Sequence, residues 1–100
     1  MTPEGAVVQA CRDYLTVRQI PHIRNNTGRR GGVSYGSEGS ADILGCLPGG
    51  RFLAIECKAG KGKLSPTQVE FQRDIIRQGG LHIVAYRVED VIEVLEAEGI

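Results

Sequence analysis

Apolar and polar positions along the chain alternate between two rhythms, and the changes between them mark the elements. Glu4, Val8, Cys11 and Leu15 recur at helical spacing. Thr2-Pro3-Glu4 precedes that stripe as a helix start: Thr caps, Pro suits the first helical position, and an acid favours the positive end. The pattern predicts a helix to about Arg18, with Glu4 projecting from its first turn along the buried face. Gly5 weakens that start by about 1 kcal/mol relative to Ala. Ile20 to about Asn26 reads as a short strand, which Pro21 confines to an edge or to its own first residues. Residues 27–39, TGRRGGVSYGSEG, hold five glycines and read as a long loop. Two apolar runs follow, from Ser40-Ala41-Asp42-Ile43-Leu44 to Ala54-Ile55-Glu56-Cys57-Lys58, joined by Pro48-Gly49-Gly50 as a hairpin turn.

After a basic loop, Ala59-Gly60-Lys61-Gly62-Lys63, the segment Ser65-Pro66-Thr67-Gln68 has the form of a capping box. The helix it opens turns Gln68, Phe71 and Ile75 inward and ends at Gly79-Gly80. Leu81 to Tyr86 is a continuous apolar run, suited to a strand covered on both faces. A right-handed crossover sets it parallel to the Glu56 strand. A last helix, about Glu89 to Glu98, buries Val88, Val91, Ile92 and Leu95. Helix, three strands, helix, strand, helix describes an α/β layer fold, and 100 residues suit one domain, residues 1–100.

The turn decides what the hairpin can do. If Pro48, Gly49 and Gly50 form a three-residue loop with Gly50 left-handed, Leu47 faces Arg51 and Asp42 lies opposite Glu56. Opposed side chains stand about 4.5–5.5 Å apart at Cβ, and Lys58 points to the same face as Glu56. A two-residue Gly49-Gly50 turn would instead pair Asp42 with Cys57 and send Glu56 to the other face. Packing alone has no reason to gather two carboxylates and an ammonium on an apolar hairpin.

Composition narrows the chemistry. A hydrophobic fraction of 41% and a charged fraction of 24% are those of an ordinary globular protein. No apolar run approaches the ~20 residues that cross a bilayer, and no signal-peptide pattern opens the chain. Cys11, Cys46 and Cys57 have neither disulfide-framework nor zinc spacing, and His22 and His82 read as structural. A cytoplasmic setting without a membrane partner is expected. The zero net charge is uneven: residues 1–77 hold eleven Lys/Arg against seven Asp/Glu, and residues 78–100 hold one against five. The face around the hairpin is therefore free to be basic and to meet a phosphate-rich partner.

Two opposed carboxylates repel unless one protonates or a cation intervenes. Oxygen ligands with no neighbouring His or Cys side chain suit Mg²⁺ or Mn²⁺. Asp42 and Glu56 are the candidate metal ligands, with the backbone carbonyl of Cys57 and with Glu4, directly or through a water. A metal there would lower the pKa of bound water and offset charge developing on a phosphodiester. Lys58 would orient or help deprotonate that water, or stabilise the phosphorane. Gln68 would hold Lys58 or the water. Arg29 and Arg30 are candidates for phosphate contacts and Tyr35 for stacking, with Lys61 and Lys63 on the second basic loop. Capping alone would account for Gln68, a dipole-favouring role for Glu4, and a solvated loop for residues 27–39.

Asp42, thirteen intervening residues and Glu56-Cys57-Lys58 together resemble the PD-(D/E)XK nuclease motif, with Ala41 where that motif often has Pro. The wider pattern adds Glu4, Gly39-Ser40-Ala41-Asp42, Ser65-x-x-Gln68 and Gly79-Gly80. Over nearly the whole chain it resembles the virus-type replication–repair nuclease (VRR-NUC) family, whose small stand-alone members are typical of phages and bacteria. The resemblance implies a restriction-endonuclease-like αβββαβ(α) core with a mixed four-stranded sheet flanked by helices. It also implies Mg²⁺- or Mn²⁺-dependent DNA cleavage, a preference for branched or flapped structures, and a bacterial or phage-infected cell. Asp42, Glu56, Lys58, Gln68 and Glu4 are the catalytic positions it suggests. Two alternatives stay open: a non-catalytic DNA-binding module with the same fold, and a nuclease acting on RNA. A homodimer is expected, because a C₂ pair would match the two-fold symmetry of a four-way junction.

Overall fold

The computed structural model describes the backbone of residues 1–26, 28–31 and 33–100, and the side chains of residues 1–26, 31 and 36–100. Helix α1 spans Pro3–Val17, with the Thr2 hydroxyl accepting from the Gly5 N–H at 2.9 Å. Strands β1 (His22–Arg24), β2 (Gly28–Arg30), β3 (Val33–Tyr35), β4 (Ile43–Leu47) and β5 (Arg51–Cys57) follow. Helix α2 (Pro66–Arg77), strand β6 (Leu81–Ala85) and helix α3 (Val88–Ala97) complete the chain.

The expected loop at residues 27–39 is thus corrected: β2 and β3 pair antiparallel, Arg29 opposite Ser34, as a separate two-stranded sheet. Strands of three residues flanked by glycines carry too little alternation to announce themselves. The other four strands form one mixed sheet in the order β1-β4-β5-β6. The pairings β1/β4 and β4/β5 are antiparallel and β5/β6 is parallel. This is an α/β fold with a four-stranded mixed sheet and three helices.

The register of β4/β5 sets Leu47 opposite Arg51 and Ile43 opposite Ile55. Continued by one residue, it brings Asp42 beside Glu56. The turn uses Pro48–Gly50, and both Gly49 and Gly50 have φ of 81°, where only Gly50 was expected to be left-handed. Glycine meets that demand without the Cβ clash.

One sheet face carries Ile43, Leu53, Ile55, Cys57, Ile83 and Ala85, all buried against Val8, Cys11 and Leu15 of α1 and Val91 and Leu95 of α3. The acid-rich α3 belongs to this face. On the opposite face α2 lies beside β6, with the Phe71 ring edge-on to His82 at 6.1 Å between centroids. Burial along β6 alternates rather than being complete: Ile83 and Ala85 are buried, whereas Leu81, His82 and Val84 are half-buried. Ile92 is likewise only half-buried, and Val94 packs on the core instead.

All three helices end in the paired backbone bonds of a Schellman turn. Ile20 and Gln19 donate to Leu15 and Thr16, Gly80 and Gly79 to Ile75 and Ile76, and Ile100 and Gly99 to Leu95 and Glu96. The left-handed position is held by Gly79, Gly99 and, in α1, by Gln19 at φ 56°.

Candidate active site

The site lies at the C-terminal end of β5, beside the first turn of α2. Glu56 is the penultimate residue of β5 and only 3% exposed. Its carboxylate oxygen Oε1 accepts from Gln68 Nε2 at 3.0 Å and lies 3.7 Å from Lys58 Nζ. Asp42, half-buried just before β4, reaches across the strand pair, and its Oδ2 accepts from the Cys57 N–H at 2.8 Å. Asp42's own carbonyl accepts from the Asn25 N–H at 2.7 Å. Asp42 is therefore held through its backbone carbonyl by the residue that follows the edge strand, and through its carboxylate by the central strand.

Gln68 serves two structures with one side chain. Its Oε1 accepts from the Ser65 N–H at 2.9 Å, while the Ser65 hydroxyl accepts from the Gln68 N–H at 3.3 Å, which closes the capping box. With the amide oxygen engaged, the amide nitrogen is directed at Glu56. Gln68 thus holds Glu56, where Lys58 or the attacking water was the expected partner.

Electrostatics follow from this packing. Burial pushes the Glu56 acid up first, and the negative charge of Asp42 adds to it. Lys58 partly offsets the two, while a hydrogen bond shared with Asp42 and the charge of Glu4 raise it further, to about 8. At neutral pH the pair therefore retains a proton.

Glu4 contributes to that field from an exposed position, which corrects its expected place on the buried face. The buried part of the α1 stripe begins one turn later, at Val8. The Cys57 side chain is fully buried in the core, as the strand alternation requires, leaving its backbone on the site. Its thiol is raised by a hydrogen bond shared with Cys11, then by burial. Burial lowers His82, keeping its imidazole neutral beneath α2. Lys61 and Lys63 are exposed on the loop that leaves Lys58. Arg29, Arg30 and Tyr35 lie on β2 and β3, and their side chains fall outside the described residues. Among the described residues no three His, Cys, Asp or Glu side chains converge as a ready-made ligand set.

Three further residues shape the site. Asn25 Nδ2 donates to Ser40 Oγ at 2.7 Å and to the Ala41 carbonyl at 2.9 Å, and Ser40 Oγ donates to the Ser37 carbonyl at 2.6 Å. Gly39, at φ 85°, presses against α2: a Cβ there would meet the Thr67 carbonyl oxygen at 2.6 Å. The Gly39-Ser40 pair was visible in the sequence, but Asn25 was not, because nothing short of the β1/β4 register brings it to Asp42.

Comparison with models of known protein families finds no match, and comparison with curated proteins finds none either.

Proposed function

We propose that the chain is a metal-dependent endonuclease that hydrolyses phosphodiester bonds in DNA, with a restriction-endonuclease-like core of the VRR-NUC kind. The observation that carries this reading is one cluster: Asp42 and Glu56 in register, Lys58 3.7 Å and Gln68 3.0 Å from the same Glu56 oxygen. Glu56, raised to about 8, is the second support. A close carboxylate pair, one member buried and the other half-buried, that must otherwise share a proton is a donor set that a hard divalent cation fits.

Asp42 and Glu56 would hold Mg²⁺ or Mn²⁺, with the Cys57 carbonyl and Glu4 completing the oxygen set directly or through water. When bound, the cation supplies positive charge beside the scissile phosphate and eases deprotonation of water. The remaining work belongs to the chain. Lys58 orients the attacking water and offsets the charge that grows on the phosphoryl oxygens. Gln68 and the Cys57 N–H fix the two carboxylates in advance, so little reorganisation is left for the reaction. The Asp42 donor is a backbone amide, and the Gln68 side chain that holds Glu56 is itself pinned by the capping box.

DNA is the partner this reading favours, with branched or flapped substrates preferred. Arg29, Arg30 and Tyr35 sit on the β2–β3 hairpin, whose two ends are tied by the Asn25–Ser40 bond, and Lys61 and Lys63 are exposed on the loop that follows Lys58. The acid-rich α3 packs on the opposite sheet face, where it would not oppose a phosphate backbone. No described helix is long and apolar enough to cross a membrane.

The test is cleavage of branched and linear DNA with Mg²⁺ or Mn²⁺, comparing the natural sequence with Asp42→Asn and Lys58→Ala. Metal-dependent cutting that both substitutions abolish is expected. Equal activity in all three, or none in any metal, overturns the proposal. Salt-dependent DNA binding without cleavage would assign a non-catalytic DNA-binding module instead, and preferential cutting of RNA a ribonuclease. A homodimer belongs to the same proposal, and a monomer by light scattering at micromolar concentration counts against it.

A further inference from the structure

We propose that Tyr86 is a positioning residue: its hydroxyl pins the loop 59–63 over Lys58 and so seats the ammonium on Glu56. The proposal rests on the reading of Lys58 as the working cation of the site.

The parallel pairing of Cys57 with Ala85 continues as a bond from the Lys58 N–H to the Ala85 carbonyl at 2.9 Å. That register sets Tyr86 beside Lys58 on the same sheet face. Tyr86 is itself fastened, since its N–H donates to Asp90 Oδ2 at 2.8 Å. From there its hydroxyl donates to the Gly62 carbonyl at 2.7 Å, twenty-four residues away in sequence.

Gly62 is the residue that closes over Lys58. Its N–H donates to the Ala59 carbonyl at 3.0 Å, which turns the chain back on itself. A Cβ on Gly62 would lie 3.6 Å from Lys58 Cδ and 3.8 Å from Lys58 Cβ, so the loop backbone passes close to the lysine stem. The Lys58 side chain is accordingly only 13% exposed, although it follows the last residue of its strand and precedes a glycine-rich loop. A glycine-rich pentapeptide has no conformational reason to stay folded over a lysine. The Tyr86 hydroxyl is the tertiary contact that holds it there. The same contact leaves Lys61 and Lys63, on either side of Gly62, projecting into solvent.

Tyr86→Phe keeps the ring and removes only the hydroxyl. The first readout needs no nuclease activity: the acetylation rate of each lysine by an N-hydroxysuccinimide ester, followed by peptide mass mapping of the metal-free full chain. In Tyr86→Phe the Lys58 rate should rise at least about fivefold. Lys61 and Lys63, already exposed, should stay within about twofold and serve as internal references. The second readout is Mn²⁺-dependent DNA cleavage. There kcat should fall about tenfold with KM within about threefold. An unchanged Lys58 rate in Tyr86→Phe overturns the proposal, as does an unchanged kcat where the natural sequence cleaves. If the natural sequence cleaves nothing yet Lys58 acetylates faster in Tyr86→Phe, the latch stands and the nuclease reading falls.

Discussion

Replacing Glu56 by Gln should make the metal-free protein more stable, by an amount that grows as pH rises from about 4.5 to about 8. The Glu56 acid stands at about 8, raised chiefly by burial and then by Asp42, against about 4.5 for an unperturbed carboxyl. A folded-state value above the unfolded one means that the native state binds the extra proton. The associated stability is fully present below about pH 4.5 and is lost as pH rises to about 8. At about 1.4 kcal/mol per pH unit of full linkage, the interval from pH 6 to pH 9 spans roughly two effective units, or about 2–3 kcal/mol. For a domain of this size 1 kcal/mol shifts the melting temperature by about 4–8 °C, so the effect is on the order of 10 °C. Gln cannot ionise, and its amide oxygen can still accept from Gln68 Nε2. The assay is thermal unfolding with EDTA from pH 5.5 to pH 9.5. The Tm difference between Glu56→Gln and the natural sequence should widen in favour of the variant by on the order of 10 °C across that range. A difference that does not change with pH would refute the assigned burial and repulsion at Glu56.

Gln68→Ala removes a helix cap and the Glu56 partner together, so its cost should exceed the about 1 kcal/mol typical of a lost cap. Chemical denaturation measures that cost, and Mn²⁺ affinity by calorimetry should fall in parallel. Gln19→Gly relieves the left-handed conformation at the end of α1 and should stabilise by about 0.5–1 kcal/mol, read as a higher denaturation midpoint with an unchanged slope. Gly39→Ala places a Cβ 2.6 Å from the Thr67 carbonyl oxygen at a φ of 85°. It should destabilise by about 2–3 kcal/mol, and amide exchange should quicken in the first turn of α2.

Local chemistry was legible wherever one residue type answers one backbone demand. Thr2-Pro3, Ser65-Pro66-x-Gln68 and Gly79-Gly80 mark helix ends because caps and left-handed stops act within four residues. The Pro48-Gly49-Gly50 turn carried the most consequence, since its length sets which residues oppose one another along β4 and β5. A three-residue turn there pairs Asp42 with Glu56 and a two-residue turn pairs it with Cys57, and the observed register is the former. Glu4 was legible as an acid on a helical stripe, but not as a rim residue, because periodicity does not say where the sheet beneath a helix begins. The β2–β3 hairpin was hidden for a related reason: three-residue strands pair through backbone groups that every residue type shares.

By itself, then, the sequence determined the helices and the strands of the four-stranded sheet, and it narrowed the β4/β5 register to two turn geometries, one of which pairs the acids; these follow from short-range stereochemistry and period-two alternation. Only the tertiary structure decided what surrounds that pair. A crossover connection leaves its own register open, so nothing local sets Tyr86 beside Lys58 or aims Gln68 at Glu56 rather than at Lys58. Burial belongs to the same class. Glu56 carries a carboxyl like any other until the fold buries it, and the withdrawal of water together with the nearness of Asp42 is what raises it to about 8.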